Sequence, residues 1–430
     1  MTPGGRLLRR RIVTLVTACG LGASLLPFGV ARASVTHRVA SGEAGSGPSP
    51  TPVVLLDEGA GRSRASGRAT IVWSDVDTSF RWAKPAITYV GATNEWMRDL
   101  GPNADGTYPF EPATIETRKY FARAVVSAFA PSQPVDPAIT FPDLDPSDAF
   151  YPFANIAVQL HWMKRSPSGT FAPDKPVTTT SVHRVLSLAL GLGPAVKALN
   201  HLHTADDVTF TLPPNFGALI LGMRLGLRYN NSDESRDVGP TTPLTRAQVA
   251  YSLYRAATQP SWSVPELLAQ YQGIELPALT PDQAQIVQWG VGYVGFPYVW
   301  GGEWGTDSDG QPVPGFDCSG LTWWLLRASD DAYWHVSPPR PYAGWALPQR
   351  TSADMATTGT LAYDQLQPGD LMFYDGNGDG RVDHVDTFIG NGWALDSSST
   401  PGGVTIMWVG DGWYRDHFVH GRRVLRGVAP

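Results

Sequence analysis

The sequence predicts an α+β protein, with a mainly α-helical domain followed by a domain of helices packed on an antiparallel sheet. Three observations predict this class. Amphipathic helical segments recur loosely between residues 83 and 262. Residues 282–430 begin with a helical segment and close with short strands separated by glycine turns. A cysteine, Cys318, lies between a strand-like segment and an apolar helix.

The first 33 residues have the pattern of an export signal. Arginines precede an apolar stretch, and Ala31-Arg32-Ala33 has the small residues of a cleavage site. This segment carries five arginines and no acid, so its removal changes the net charge from −6 to −6 − 5 = −11. Such an acidic chain argues against a nucleic-acid partner. The signal predicts a secreted chain, by either the Sec or the twin-arginine route. No other segment has the roughly 18 apolar residues that span a bilayer, so we expect the mature chain to be soluble or associated with the cell wall.

Two segments are predicted to be linkers. Residues 34–82 are rich in Gly, Ser, Ala and Pro and cannot bury enough apolar surface to order themselves. Residues 263–281 form a second linker with a short helix. The predicted domains are therefore residues 83–262 and 282–430.

The first domain is predicted to contain three repeats. The clearest unit starts at Phe141-Pro-Asp-Leu-Asp145, continues through a helix and the turn Ser168-Gly-Thr-Phe-Ala-Pro173, and ends with a helix to about Leu192. A unit before it contains Thr117-Arg118. A unit after it contains Pro243-Leu-Thr-Arg-Ala-Gln248, where Thr245 and Gln248 have the spacing of a capping box.

These units resemble the S-layer homology (SLH) module. The resemblance implies that the repeats bind secondary polymers of the cell wall through arginines at the helix caps, here Arg118 and Arg246. The middle unit has Thr179 at this position, which puts its pocket in doubt. The alternative is a helical spacer domain that binds nothing.

Cys318 is predicted to be a nucleophile. With Cys19 lost in the export signal, it has no partner for an intramolecular disulfide. Its neighbours Asp317 and Ser319 are polar, and the free amides and dipole at a helix start stabilise a thiolate. The alternative is an inert core cysteine.

Five segments, in this order, are similar to the NlpC/P60 family of papain-like cysteine peptidases. They are Tyr298-Val-Trp-Gly-Gly302, Phe316-Asp-Cys-Ser-Gly320, Arg350-Thr-Ser352, Leu366-Gln-Pro-Gly-Asp-Leu371, and His384-Val385 before Phe388-Ile-Gly-Asn-Gly392. The resemblance implies a papain-like domain that cleaves peptidoglycan stem peptides, most often between D-glutamate and meso-diaminopimelate. It implies Cys318 as nucleophile and His384 as base, with no cofactor required for the chemistry. It also implies that Tyr298, Asp317 and Ser319 contact substrate.

Asp396 is predicted to be the third member of the catalytic set. It lies twelve residues after His384, where the family usually has His and sometimes Asn or Gln. Its carboxylate would accept a hydrogen bond from Nδ1 of the imidazole and stabilise the imidazolium. A three-residue hairpin loop at Gly390-Asn391-Gly392 would put His384 and Asp396 on one sheet face, whereas a two-residue turn would separate them.

A calcium site is predicted just before His384. Residues 375–386 satisfy the twelve-residue EF-hand loop pattern, although strands rather than helices flank them. The expected ligands are Asp375, Asn377, Asp379, Arg381, Asp383 and Asp386. The alternative is a turn rich in Gly and Asp. Asp386 replaces the glycine usual in the family, and it would lie opposite Asp396, where two unpaired carboxylates repel.

Two segments near the predicted site are longer than the family pattern. They span residues 303–314 and 329–347 and could wall the substrate groove. The predicted function is therefore a secreted, wall-anchored peptidoglycan endopeptidase. Two alternatives remain: a thiol amidase or esterase acting on another wall-linked substrate, and a wall-binding protein without catalysis.

Overall fold

The computed structural model describes residues 71–231, 237, 239–303, 315–326, 347–400 and 402–425. The predicted export signal, most of the first linker and most of the two long segments near Cys318 lie outside these residues. All described residues belong to one unit, Val53–Pro430. Within them, every helix is too short or too polar to span a bilayer.

The predicted α+β class is confirmed. A helical region comes first in the chain, and all five strands of the described residues follow it in one sheet. The helices are α1 (Lys84–Ile87), α2 (Arg118–Phe129), α3 (Tyr151–Gln159), α4 (Thr179–Ala189), α5 (Gly193–Leu199), α6 (Phe216–Arg224), α7 (Arg246–Ala257), α8 (Ser263–Tyr271), α9 (Pro281–Val291), α10 (Cys318–Leu326), α11 (Ser352–Met355) and α12 (Gly412–Asp416), and the strands are β1 (Leu371–Tyr374), β2 (His384–Gly390), β3 (Trp393–Ser398), β4 (Gly403–Trp408) and β5 (Phe418–Arg422).

Three helix-start segments of the helical region pair in a ring. The N–H of Glu116 donates to the carbonyl of Leu244, that of Leu244 to Val177, and that of Val177 back to Glu116, at 2.9–3.0 Å. These segments precede α2, α7 and α4, respectively. The three helical units therefore meet at one point through main-chain hydrogen bonds.

The caps of these helices follow from local sequence. At α7, the hydroxyl of Thr245 accepts from the N–H of Gln248, and the Gln248 side chain accepts from the N–H of Thr245. This is the predicted capping box, and it is confirmed. Helix α4 has the same device in Thr178 and Ser181. Each cap satisfies amide groups that would otherwise lack a partner at the helix start.

The expected role of Arg246 in polymer binding is not supported by its position in the fold. This arginine was expected to bind a wall polymer, but its guanidinium is buried. It donates to Glu116 at 3.0 Å, to Asp99 at 2.8 Å and to the carbonyl of Phe110 at 2.8 Å. Burial raises the pKa of Glu116 to about 7, although the Arg246 charge opposes this shift. Arg246 therefore neutralises buried carboxyls and is not presented to a polymer.

Arg118 occupies the corresponding place at the start of α2. Its Nε donates to the carbonyl of Phe171 at 2.8 Å, and Nη2 donates to that of Lys164 at 2.9 Å. Unlike Arg246, its side chain is only half-buried. In the middle unit, the hydroxyl of Thr179 donates to the carbonyl of Gly239 at 3.4 Å. A polymer-binding role for Arg118 stays a prediction.

The sheet has the strand order β4-β3-β2-β1-β5, with antiparallel neighbours throughout. Alternate residues point to opposite faces. One face, which includes Phe373 and Leu395, joins the main hydrophobic core with α9 and α10. The other face carries a smaller apolar cluster around Met372 and Tyr374. His384 and Asp396 extend this second face toward the ends of β2 and β3.

Residues 263–281, predicted to be a linker, pack against the sheet. Tyr271 at the end of α8 is fully buried, and its hydroxyl donates to the carbonyl of Ile406 at 2.7 Å. Its ring centroid lies 4.9 Å from that of Trp393. Strand β4 is at an edge of the sheet, so Tyr271 satisfies a carbonyl there that no further strand pairs. The domain boundaries themselves stay predictions.

Tyr271→Phe is expected to lower the free energy of unfolding by about 1–2 kcal/mol, because it leaves the buried Ile406 carbonyl without its donor while keeping the ring. Urea unfolding followed by tryptophan fluorescence measures the change. Tyr254→Phe is the control, since that tyrosine lies on α7, away from the sheet. An unchanged unfolding midpoint for Tyr271→Phe would contradict this account of the contact.

Candidate active site

Cys318 is the first residue of α10, and Asp317 caps this helix. Oδ1 of Asp317 accepts from the N–H of Gly320 at 2.5 Å, and Oδ2 accepts from the N–H of Gly301 at 3.0 Å. Cys318 is 9% exposed, at the border of the main core. The cysteine therefore lies at the N-terminal end of a helix, as the sequence predicts.

Arg350 joins the start of α10 to the segment before it. It forms ion pairs with Glu303 and with Asp317, the latter at 3.2 Å. It also donates to the hydroxyl of Ser319 at 2.8 Å, and Ser319 in turn donates to Asp317 at 3.2 Å. Asp317 and Ser319 are thus held in an internal network, and their predicted contact with substrate remains a prediction. In the sequence, Arg350 stands out only as part of a motif, and no pattern indicates Glu303 as its partner.

Tyr298 lies beside the same helix start. It forms a parallel bridge with Phe316, and its N–H donates to the carbonyl of Gly402 at 3.1 Å. Its side chain is half-buried. The position is compatible with the predicted role in lining the substrate site, which stays a prediction.

The hairpin between β2 and β3 determines which sheet face His384 and Asp396 share. The turn itself has two residues, Asn391-Gly392, and Gly390 pairs across it with β3. The pairing then shifts between Phe388 and Gly390. This irregularity adds the residue that a three-residue loop would supply, so the predicted register holds and His384 and Asp396 lie on one face.

The imidazole of His384 lies between two carboxylates. Its Nε2 is 3.0 Å from Oδ1 of Asp396 and 3.0 Å from Oδ1 of Asp386. Both aspartate side chains are fully buried, whereas that of His384 is 15% exposed. The contact is through Nε2 and not through Nδ1 as expected, which leaves Nδ1 as the nitrogen away from the carboxylates.

The charges in this cluster perturb every member. Burial lowers the pKa of His384, but the charges of Asp386 and Cys318 and the hydrogen bonds with both aspartates raise it well above its usual range. Burial and the charge of Asp396 raise the pKa of Asp386 to about 7. Burial opposes ionisation of Asp396 as well, but the hydrogen bond and charge of His384 lower its pKa. The cluster therefore favours a protonated imidazole beside an ionised Asp396.

Other side chains complete the surroundings of Asp396. Its Oδ2 accepts hydrogen bonds from the hydroxyls of Ser398 at 2.8 Å and Tyr414 at 3.3 Å. The ring of Tyr374 lies 5.7 Å from that of His384. No sequence pattern indicates these residues, because Tyr374 lies on β1 and Tyr414 on α12, and only the folded sheet brings them to the site.

The predicted calcium loop connects β1 to β2 and is largely exposed. Asp375 accepts from the N–H groups of Gly378, Asp379 and Gly380 at 2.8–3.1 Å. Three other side chains of the loop also accept hydrogen bonds from backbone N–H groups. Asn377 accepts from Asp379, Asp379 accepts from Arg381, and Asp383 accepts from Gly376.

Asp386 is a correction, because it does not belong to this ligand set. It is buried on β2 next to His384, not turned toward the loop. Calcium takes six to eight oxygen ligands, and the twelfth loop position normally supplies two of them. Without Asp386 the loop fits calcium only in part, so no step of the chemistry is assigned to an ion. Calcium binding by the other loop residues stays a prediction.

A different group of side chains, outside the loop, has the spacing of metal ligands. Among the described residues, one ligand atom from each of His384, Asp386 and Asp396 lies within 4.8 Å of the others. These atoms are already in hydrogen-bonding contact. An ion at this place would displace the hydrogen on Nε2.

Two parts of the chain match known families. Residues 295–423 match the model of the NlpC/P60 family, and residues 140–178 match that of the S-layer homology domain. Both resemblances found in the sequence are therefore confirmed. The first match contains Cys318, His384 and Asp396, and the second covers the clearest predicted repeat from its start to residue 178, just before its second helix.

Several proteins are similar to about a third of this chain. The bifunctional muramidase/DL-endopeptidase CwlT of Bacillus subtilis is 30% identical over 31% of this chain and 33% of its own length. The murein DD-endopeptidase MepH of Escherichia coli is 31% identical over 31% of this chain and 42% of its own. A gamma-D-glutamyl-L-lysine dipeptidyl-peptidase of B. subtilis is 31% identical over 28% and 34%. The chain thus spans less than half the length of each of these relatives.

A solved structure also resembles this chain. The crystal structure of an NlpC/P60 family protein from Bacillus cereus is 28% identical, covers 34% of this chain and 41% of its own, and has a TM-score of 0.26.

Proposed function

We propose that this chain is an exported peptidoglycan endopeptidase that cuts stem peptides by a Cys318-His384-Asp396 thiol mechanism. The observation that carries the proposal is the 3.0 Å contact between Nε2 of His384 and the buried Asp396, within a region that matches the NlpC/P60 family. A carboxylate in this position orients the imidazole and stabilises its protonated form.

The relatives support the substrate class. Their names describe a DL-endopeptidase, a DD-endopeptidase and a gamma-D-glutamyl-L-lysine dipeptidyl-peptidase. All three names fit peptides of the bacterial wall, but they differ in the bond that is cut. For this chain we propose the bond between the γ-carboxyl of D-glutamate and meso-diaminopimelate.

The reaction has two halves. The Cys318 thiolate attacks the carbonyl carbon, and the His384 imidazolium gives its proton to the leaving amine, which departs as the C–N bond breaks. A thioester between Cys318 and the acyl half of the peptide remains. The neutral imidazole then takes a proton from water, whose oxygen attacks the thioester. The carboxylic acid leaves, and the thiolate and imidazolium are restored.

The helical region is proposed to hold the enzyme at the wall. The match to the S-layer homology domain supports anchoring at the cell surface, and the export signal predicted at residues 1–33 supports secretion. A secondary cell-wall polymer is the proposed ligand. Arg118 is the remaining candidate for contact with the polymer, because Arg246 is buried in ion pairs with Glu116 and Asp99.

Purified sacculi test the proposed reaction. Protein lacking residues 1–33 is expected to release fragments with a new amino group on meso-diaminopimelate, identified by mass spectrometry. The same digest with a calcium chelator tests the loop at residues 375–383. Cleavage at another peptide bond would replace the proposed bond, and products of another amide or of an ester would favour the alternative hydrolase. No product from sacculi or soluble muropeptides would contradict an active peptidase.

Anchoring is tested separately with a Cys318→Ala protein, which cannot digest its target. It is expected to sediment with sacculi that keep their secondary polymers and to stay in solution with sacculi stripped of them by acid. Arg118→Ala is expected to weaken sedimentation, and Arg165→Ala is the control, because Arg165 is exposed and, within the described part of the chain, its side chain donates a single hydrogen bond, to the carbonyl of Thr140 at 3.2 Å. Equal sedimentation with both kinds of sacculi would contradict polymer binding.

A further inference from the structure

We propose that Asp386 is a second positioning residue of the active site, which acts together with Asp396 to fix the His384 imidazole. This inference rests on the proposed thiol mechanism and extends it. The pattern of the family that this region resembles usually has a glycine two residues after the histidine, whereas this chain has Asp386. It was expected to serve a calcium loop, and the fold gives it a different neighbour.

The geometry gives the two aspartates the same relation to the imidazole. Each places Oδ1 at 3.0 Å from Nε2 of His384. One acceptor leaves an imidazole free to swing about the axis of that single hydrogen bond. Two acceptors from adjacent strands, β2 and β3, restrict this swing. The ring is then fixed with Nε2 toward the sheet and Nδ1 away from both carboxylates.

The strands enforce this placement. Asp386 lies two residues after His384 on β2, so both side chains project from one face. The pairing of β2 with β3 ends at Thr387 and Leu395, and Asp386 and Asp396 are the next residues of the two strands, so they lie opposite each other. Both carboxylates are fully buried. Their positions therefore come from the sheet register and not from a mobile surface loop.

Packing alone does not explain the carboxylate of Asp386. Its Oδ2 is buried and accepts no hydrogen bond among the described residues. A buried polar atom without a partner costs stability, and functional sites are where proteins tolerate such costs. A residue retained for folding should lower stability when it is removed. Removing a residue that is retained for positioning should lower the turnover rate and leave stability equal or higher.

Two substitutions separate these roles. Asp386→Ala removes both oxygens, and Asp386→Asn keeps an oxygen that accepts from Nε2. We expect Asp386→Ala to lower kcat by 10–100-fold with little change in KM, because small misplacement of a catalytic group costs rate and not binding. Asp386→Asn is expected to recover most of this loss. The melting temperature of Asp386→Ala should equal or exceed that of the unaltered protein.

Thr387→Val is the matched control. Thr387 is the next residue on β2, is fully buried, and has a hydroxyl without a partner among the described residues, but it faces away from His384. Its replacement is expected to leave kcat unchanged. Its melting temperature should also equal or exceed that of the unaltered protein. A loss of kcat in Asp386→Ala but not in Thr387→Val would then come from the lost contact with His384 and not from a general change in β2.

The experiment measures muropeptide hydrolysis, melting temperature and the rate at which iodoacetamide alkylates Cys318 at pH 7. Unchanged kcat in Asp386→Ala, or a loss of kcat together with a lower melting temperature and no recovery in Asp386→Asn, would overturn the inference. If the unaltered protein hydrolyses nothing, the proposed function fails and alkylation alone decides. Slower alkylation in Asp386→Ala, recovered in Asp386→Asn, supports positioning, and equal rates in all variants refute it.

Discussion

Cys318→Ala is expected to reduce the release of peptides from sacculi by at least about 10³-fold, because no other group in the proposed mechanism forms the bond to the carbonyl carbon. The side chain is small and at the border of the core, so the melting temperature should change little. Ser352→Ala is a control on the short helix α11, outside the proposed catalytic set. Mass spectrometry of the released fragments measures the loss.

The mechanism also predicts the activity of a variant that lacks both Cys318 and His384. His384→Ala should cost nearly as much as Cys318→Ala, and the double variant should be no worse than either, because nucleophile and base act as one unit. Retention of more than a tenth of the activity by Cys318→Ala would contradict the mechanism. Losses that multiply in the double variant would mean that the two residues act independently.

Arg350→Ala is expected to lower the free energy of unfolding by about 3–5 kcal/mol, because it leaves the buried Glu303 and Asp317 without their shared cation. The loss should also weaken the cap of α10 and reduce activity, since Asp317 holds the N–H of Gly320 at the start of the helix that carries Cys318. Urea denaturation with a constant m-value measures the stability term.

Two further variants identify the cause of that loss. Arg350→Lys keeps the charge but not the fork of N–H groups that reaches Glu303, Asp317 and Ser319 together, so it should recover only part of the stability. Glu303→Gln in the Arg350→Ala background removes one unpaired charge and should be less destabilised than Arg350→Ala alone. A change below 1 kcal/mol for Arg350→Ala would contradict the role given to this network.

Features that depend on neighbours in sequence could be predicted. The Thr245 and Gln248 capping box needs only residues three apart, and it forms as expected. The placement of Cys318 at a helix start also follows from adjacent residues, and α10 begins at that residue. These features are local because their hydrogen bonds close within one helical turn.

The relation between His384 and Asp396 depended on one hairpin. The sequence predicted the shared face only for a three-residue loop. The fold reaches the same register with the two-residue turn Asn391-Gly392 and an irregularity between Phe388 and Gly390. The ring nitrogen was assigned wrongly, because which nitrogen meets a carboxylate depends on the side-chain rotation of His384, and sequence spacing does not specify it.

Two other expectations failed because the fold gives Asp386 and Arg246 neighbours that the motifs did not include. Asp386 matches the last position of a calcium loop by sequence spacing, but it lies on β2, where its side chain contacts His384. Arg246 matched a helix-cap arginine, but Asp99 and Glu116 reach it from a distant part of the chain. The partners of Arg246 come from far away in sequence, so no local pattern shows them. The partners of Asp386 lie on its own strand and on the next strand, so its error came from reading residues 375–386 as one loop.

The most direct test of the central claim is the rate at which iodoacetamide alkylates Cys318 at pH 6, measured in protein without residues 1–33. The thiolate is the reactive form. The account predicts alkylation at pH 6 at least about ten times faster than in His384→Ala, because the raised pKa of His384 keeps the imidazole protonated and its charge interacts with that of Cys318. Equal rates in the two proteins would contradict a thiolate paired with this imidazole, and with it the proposed mechanism.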